Sequence, residues 1–226
     1  MSPDQEAAAN RFPLHEFPIS IAGRDWLIRH ARLIFDRSDE KDYFERMGLP
    51  YGLALWSSSL ALAQDVGSRK SHLAGKWVLE LGCGAGLPGL VAAHCGAHVY
   101  QTDGFEAALW LSRLNADTNG ISGVEYGLVE WNDFSDERRF DYIIGSDILY
   151  YHSLHEPLLR IFETALAEGG HVVVADPLRE SSVEFFDRLT AQGWDIDVEF
   201  YDMTDGEKTK RIAVLDLKPP SAEPFE

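Results

Sequence analysis

Val78-Leu79-Glu80-Leu81-Gly82-Cys83-Gly84-Ala85-Gly86-Leu87-Pro88-Gly89 is the stretch that decides the reading of this chain. It begins as a buried strand over Lys76–Leu81 and breaks into glycines. It resumes as an apolar helix from Leu87 to Cys95, closed by Gly96. Glycines at a strand-to-helix turn let the backbone approach a ligand closely, because no Cβ intervenes. The helix start that follows offers unpaired N–H groups.

Working outward, strands and helices alternate. Ala97–Thr102 reads as a strand, Glu106–Asn115 as a helix, Val124–Trp131 as a strand and Asp141–Gly145 as a short buried strand. His155–Ala167 is helical up to Gly169-Gly170, and His171–Ala175 is a further buried strand. Ser181 or Ser182 then caps a helix running to Ala191. Upstream, Leu53, Leu55, Trp56, Leu60, Leu62, Ala63 and Val66 mark a buried helix ending near Gly67. Alternation at this pace predicts βαβ units and a parallel sheet covered on both faces. Asp195–Tyr201 and Arg211–Leu217 alternate as strands, and only a short loop joins them, so they pair antiparallel. The expected fold class is therefore α/β, a doubly wound, mostly parallel sheet with an antiparallel last strand. Leu14–Phe35 adds a β-hairpin in front, turning at Gly23-Arg24-Asp25, and Asp39–Met47 a charged helical turn. The expected division is an extension over 1–48, a main domain over 49–218 and a loose tail over 219–226, with residues 1–11 also frayed.

Composition bounds the function. Twenty Lys and Arg against 37 Asp and Glu give a net charge of −17. This argues against binding a nucleic-acid backbone and leaves small molecules or basic proteins open. Cys83 and Cys95 are the only two cysteines, too few for a disulfide scaffold or a four-cysteine zinc site. His94, Cys95 and His98 read as ordinary helix-end residues, and no metal is expected. No apolar run reaches the roughly 18 residues that would span a bilayer. The acidic N-terminus carries no secretory signal. A cytoplasmic monomer is the expectation.

Two ligands compete for the glycine turn. Gly84-x-Gly86-x-x-Gly89 satisfies a dinucleotide fingerprint, which would make the chain an NAD-dependent oxidoreductase. The same segment reads Glu80-x-Gly82-x-Gly84-x-Gly86, and an acidic Glu80 suits the cationic S-adenosylmethionine (SAM) better than a diphosphate. Asp103, ending the next strand, can accept both ribose hydroxyls of either ligand.

These segments resemble the class I SAM-dependent methyltransferases, and more narrowly the seven-β-strand (family 16) protein-lysine methyltransferases. The resemblance is carried by Tyr51-Gly52-Leu53-Ala54-Leu55-Trp56, the glycine turn, Thr102-Asp103-Gly104-Phe105-Glu106-Ala107, Leu128-Val129-Glu130-Trp131 and Ser146-Asp147-Ile148-Leu149-Tyr150, of which the first and the last point to the narrower family. It implies a seven-stranded sheet, SAM as cofactor and a methyl acceptor that is a protein lysine amine, with a metabolite as the alternative. By the same resemblance Trp56 borders the cofactor, while Glu80, Gly82, Gly84 and Gly86 line its methionine part. Asp103 binds the ribose, Trp131 packs beside the adenine at the end of the third core strand, and Ser146 touches the cofactor near its sulfonium. Asp147 and Tyr150 form an Asp-x-x-Tyr motif that faces the acceptor. A non-catalytic SAM-binding protein is the remaining possibility, and the intact Asp147-x-x-Tyr150 speaks against it.

Overall fold

The computed structural model describes residues 13–34, 51–204 and 209–220. The expected tail at 1–11, all but the first two residues of the one at 219–226, and the helical turn Asp39–Met47 lie outside those residues. A hairpin comes first, in which β1 (His15–Ile21) pairs antiparallel with β2 (Arg24–His30). Its turn is Ala22-Gly23, not the expected Gly23-Arg24-Asp25. Both residues take positive φ, 54° and 75°, the geometry that a two-residue hairpin turn demands. Arg24 and Asp25 belong to the strand, paired with Ile21 and Ser20.

Next, β3 (Arg32–Ile34) pairs in parallel with β4 (Ala54–Trp56), and α1 (Ser57–Ser68) follows. The expected helix thus starts later than Leu53, because this pairing claims Ala54–Trp56. A short α2 (Lys70–Leu73) leads into the main sheet. There β5 (Trp77–Leu81), α3 (Leu87–His94), β6 (His98–Asp103), α4 (Glu106–Thr118) and β7 (Glu125–Leu128) succeed one another. The chain continues with β8 (Phe140–Ser146), α5 (His155–Ala165), β9 (Leu166–Asp176) and α6 (Glu180–Ala191). It finishes with β10 (Asp195–Thr204) and β11 (Thr209–Lys218).

The seven strands lie in the order β10-β11-β9-β8-β5-β6-β7, and β11 alone runs against its neighbours. Alternate residues along each strand supply two separate cores. Val78, Ile144, Val173 and Val214 face α1, α3 and α4, whereas Leu79, Ile143, Val174 and Leu215 face α5 and α6. The strands read as continuous apolar runs because both faces are buried. Arg69 pins α1 to β11, bonding Asp65 at 2.7 Å and Asp216 at 2.6 Å.

Three local expectations need correction. Helix α5 stops at Ala165, and Gly169-Gly170 lie inside β9, because Leu166 pairs with Phe140 on β8. Helix α6 begins at Glu180. The Ser182 hydroxyl donates back to the Arg179 carbonyl at 2.9 Å and to Asp176 at 2.6 Å, so Ser181 and Ser182 are inside the first turn rather than its cap. Strand β7 ends at Leu128, and Trp131 sits beyond it in a single 3-10 turn, Trp131–Asp133.

Candidate active site

Strands β6 and β8 flank β5, and the chain reverses direction across the sheet between β5 and β8. Crevices at such a reversal, beyond the carboxyl ends of the strands, are where open α/β sheets bind ligands. The glycine turn, Asp103 and the segment from Ser146 onward all lie at those ends.

The turn is shaped from beneath. Gly82, Gly84 and Gly86 take φ of 64°, 52° and 82°, all in the left-handed region that glycine enters freely. A Cβ on Gly86 would lie 2.0 Å from the Ser112 hydroxyl oxygen, so that position needs glycine twice over. Glu80 is 1 % exposed and turned under the turn. Its Oε2 accepts from the Gly89 N–H at 3.1 Å and from the Gln101 side-chain amide at 2.5 Å. The same Gln101 amide donates to the Gly86 carbonyl at 2.8 Å, and Ser112 donates to the Gln101 oxygen at 2.7 Å. Burial pushes the Glu80 carboxyl up to about 8 against the pull of those two donors. The Gly89 N–H of the α3 start is thus already taken by an acidic side chain. That arrangement disfavours a diphosphate there and weighs against the dinucleotide reading.

Asp103 closes β6. It is 6 % exposed and accepts from Gly84 N–H at 3.0 Å and Phe105 N–H at 3.0 Å. Burial raises its pKa. Each of its oxygens takes one backbone donor, which leaves acceptor capacity for hydroxyl groups. This pair of acceptors fits the hydroxyls of a ribose. The Glu130 carboxylate is close by, 2.9 Å from the point a Cβ on Gly104 would occupy. Gly52 lies over the turn, with its carbonyl 3.3 Å from a Cβ placed on Gly84. Trp56 donates from its indole to the Tyr51 carbonyl at 3.2 Å and stacks on the Tyr51 ring at 6.3 Å. Trp131 and Ile148 both come within 3.2 Å of a Cβ placed on Gly82, so the segments that follow β7 and β8 deliver side chains to the same turn.

Ser146 is the last residue of β8 and pairs with Ala175. Asp147 follows in the left-handed region at φ 60°, its N–H bonded to the Ala175 carbonyl at 2.9 Å. One carboxylate oxygen of Asp147 is paired with the Arg179 guanidinium, and Arg179 also reaches Asp176 at 3.3 Å. Tyr150 packs edge-on against Tyr151 at 4.8 Å. Burial pushes its hydroxyl up to about 12, reinforced by the charges of Asp103 and Asp147 and by Tyr151 and Glu130. Charges from the end of β6 and from the segment after β8 thus both act on that hydroxyl. Gln101, Ser112, Gly52, Glu130 and Arg179 were not singled out from the sequence. A glutamine inside a buried strand does carry a signal, since buried polar groups need partners.

Residues 37–192 match the family model described as lysine methyltransferase. The chain belongs to the lysine methyltransferase family. Its fold and its turn fit the SAM cofactor of that family. Among curated relatives, the histone-arginine methyltransferase METTL23 of Xenopus laevis is 36% identical over 121 residues, 51% of this chain and 52% of that protein. The protein N-lysine methyltransferase METTL21A of Danio rerio is 33% identical over 138 residues, 58% of this chain and 62% of that protein. The chain spans about half the length of the curated relatives it matches. Among solved structures, a DhpI complex with SAH superposes with a TM-score of 0.57 at 19% identity, covering 81% of this chain and 89% of that one. A ribosomal protein L11 methylase of Lactobacillus delbrueckii gives 0.55 at 22%, covering 72% and 78%. Both likenesses speak to the fold of this methyltransferase family member.

Proposed function

We propose that the protein transfers a methyl group from SAM to the side-chain amine of a lysine in a protein partner. The observation that carries the reading is the placement of Asp103 at the end of β6 and Asp147 just past β8, at the carboxyl ends of the two strands that flank β5 and its glycine turn. Within this reading residues 49–218 form the catalytic domain, and the hairpin is an extension docked on it.

When bound, SAM supplies an electrophilic methyl on a cationic sulfur. Asp103 would hold its ribose hydroxyls, and Trp131 would pack beside its adenine. Gly82, Gly84 and Gly86 would line its methionine part, with Glu80 buttressing them, while Trp56 and Ser146 border it. The chain's own task is to present the acceptor. A free lysine amine has a pKa of about 10.4, so it must reach the site neutral. Asp147 accepts a hydrogen bond from that amine and sets its direction, and Tyr150 walls the approach. Positioning of this kind supplies much of the rate of a displacement.

The segments that follow Asp103 and Asp147 expose aromatic side chains. Tyr151 is 59% exposed and Phe105 56%, a surface suited to a protein side chain rather than to an enclosed metabolite. The net charge of −17 draws basic partners and repels nucleic acid. Among the described residues no helix is long and apolar enough to cross a membrane. The two cysteines are free and buried, which fits a reducing cytoplasm. A histone-arginine methyltransferase among the relatives makes an arginine acceptor the second reading.

Cell extract incubated with methyl-labelled SAM and the enzyme tests this. Label should survive nuclease, disappear with protease and appear in methyl-lysine after acid hydrolysis. Label confined to small molecules would end the protein reading.

A further inference from the structure

Arg179 is an unexpected occupant of the acceptor site. Its guanidinium pairs with one oxygen of Asp147, and both side chains are about nine-tenths buried, at 11% and 10% exposure. The other Asp147 oxygen makes no hydrogen bond or ion pair among the described residues. Two strained residues hold this arrangement. Leu178, just before Arg179, takes φ 57°, and Asp147 takes 60°. Left-handed backbone at a leucine is costly, and it persists only where the surroundings enforce it, often at functional sites. Asp176 anchors the same turn from 0% exposure. It accepts from Arg179 N–H at 3.2 Å and from the Ser182 hydroxyl at 2.6 Å, in addition to its contact with the guanidinium.

We propose that Arg179 is a specificity-determining positioning residue, which takes one oxygen of Asp147 and so makes the site select an amine over a guanidinium. This rests on the methyl-transfer reading above and decides its acceptor. A guanidinium is bound best by a carboxylate that offers both oxygens to its planar fork. Asp147 offers one, which suffices for a single amine N–H. A bare carboxylate would also favour the protonated ammonium, which cannot accept a methyl group. The Arg179 charge offsets Asp147 and releases the amine to its neutral form. Among the described residues, the charged and titratable groups that act on Asp147 are Arg179 and Asp176 from the β9–α6 turn and Tyr150 from its own loop, with Tyr151 beside Tyr150. The charges of Asp103 from β6 and Glu130 from beyond β7 act on Tyr150 in turn.

The test uses total cell protein as acceptor, methyl-labelled SAM, and separation of methyl-lysine from methyl-arginine after hydrolysis. The wild type should label lysine. Arg179→Gln should lower lysine labelling about 10-fold or more at pH 7.5, and the acid limb of its pH profile should rise by about one unit. Its methyl-arginine share should increase, while SAM affinity by calorimetry stays within about 3-fold of wild type as a check on folding. Arg179→Lys, which keeps the charge and a single donor point, should recover most of the lysine labelling. Wild-type label on arginine, or an Arg179→Gln enzyme with an unchanged lysine rate and pH profile, overturns the proposal and leaves methyl transfer intact. No label in any protein removes the acceptor reading itself.

Discussion

The side-chain amide of Asn115 on α4 donates to the Ala85 carbonyl, in the middle of the glycine turn, at 2.9 Å. The same amide donates to the Arg29 carbonyl at 3.0 Å, and its oxygen accepts from the Arg29 N–H at 2.7 Å. One turn further on, Asn119 does the same for Leu27, at 2.9 and 3.0 Å. Two asparagines thus imitate the edge of a strand, dock the hairpin on the helix, and tie it to the glycine turn.

Asn115→Ala leaves three backbone groups without this partner, one at a buried contact and two at part-buried ones. A loss of about 2–4 kcal/mol in urea unfolding is expected, together with weaker SAM binding in calorimetry. Unchanged SAM affinity in a destabilised variant would confine Asn115 to hairpin docking.

Glu80 makes stability depend on pH. Its carboxyl ionises near 4.5 in the unfolded chain and at about 8 in the folded one. The native state therefore holds the extra proton between those values, and stability declines as pH rises through that window. The slope approaches about 1.4 kcal/mol per pH unit where only the unfolded state is ionised. Glu80→Gln keeps an acceptor for Gly89 and Gln101 but cannot ionise. Denaturation midpoints measured between pH 5 and 8 should flatten in that variant relative to wild type.

Gly86→Ala forces a Cβ against the Ser112 hydroxyl and strains a residue at φ 82°. The expected cost is about 3 kcal/mol or more, read as a lower melting temperature. Pairing it with Ser112→Gly should return part of the loss, since the clash is with that side chain.

Asp103→Ala removes the ribose-fitting carboxylate and the partner of the Gly84 N–H. SAM affinity by calorimetry should fall about 100-fold, consistent with losing hydrogen bonds to a charged group.

Asp147→Ala should separate binding from turnover. SAM affinity stays near wild type while the methylation rate falls about 100-fold, the scale of a misdirected reactant. An unchanged rate would take Asp147 out of the mechanism.

Much of this architecture can be read from residue order alone. The alternation of apolar strands with helices, the glycine turn and the short loop before Thr209 each act locally, and the doubly wound sheet with β11 antiparallel follows from them. The errors arose where distant partners overrode local preference. Leu166 and Ala167 favour helix and Gly169-Gly170 look like its stop, yet pairing with β8 draws all four into β9. Trp131 was placed on a strand because its neighbours alternate, but β7 ends three residues sooner. Within the site, the positions at strand ends were legible because each follows a recognisable run. Arg179 was not, since its pairing with Asp147 depends on a bend at Leu178 that no spacing announces.

The place of β11 carries a consequence for how the molecule is made. It is synthesised after every other strand of the sheet, yet it lies inside, bonded to β9 on one side and β10 on the other. A nascent chain that has emerged only as far as β10 presents β9 with an open edge, and such edges recruit foreign strands. Completion of the sheet must therefore wait for translation to pass Lys218. A ribosome stalled within the last ten residues of that strand should hold a chain that proteases cut readily and chaperones retain.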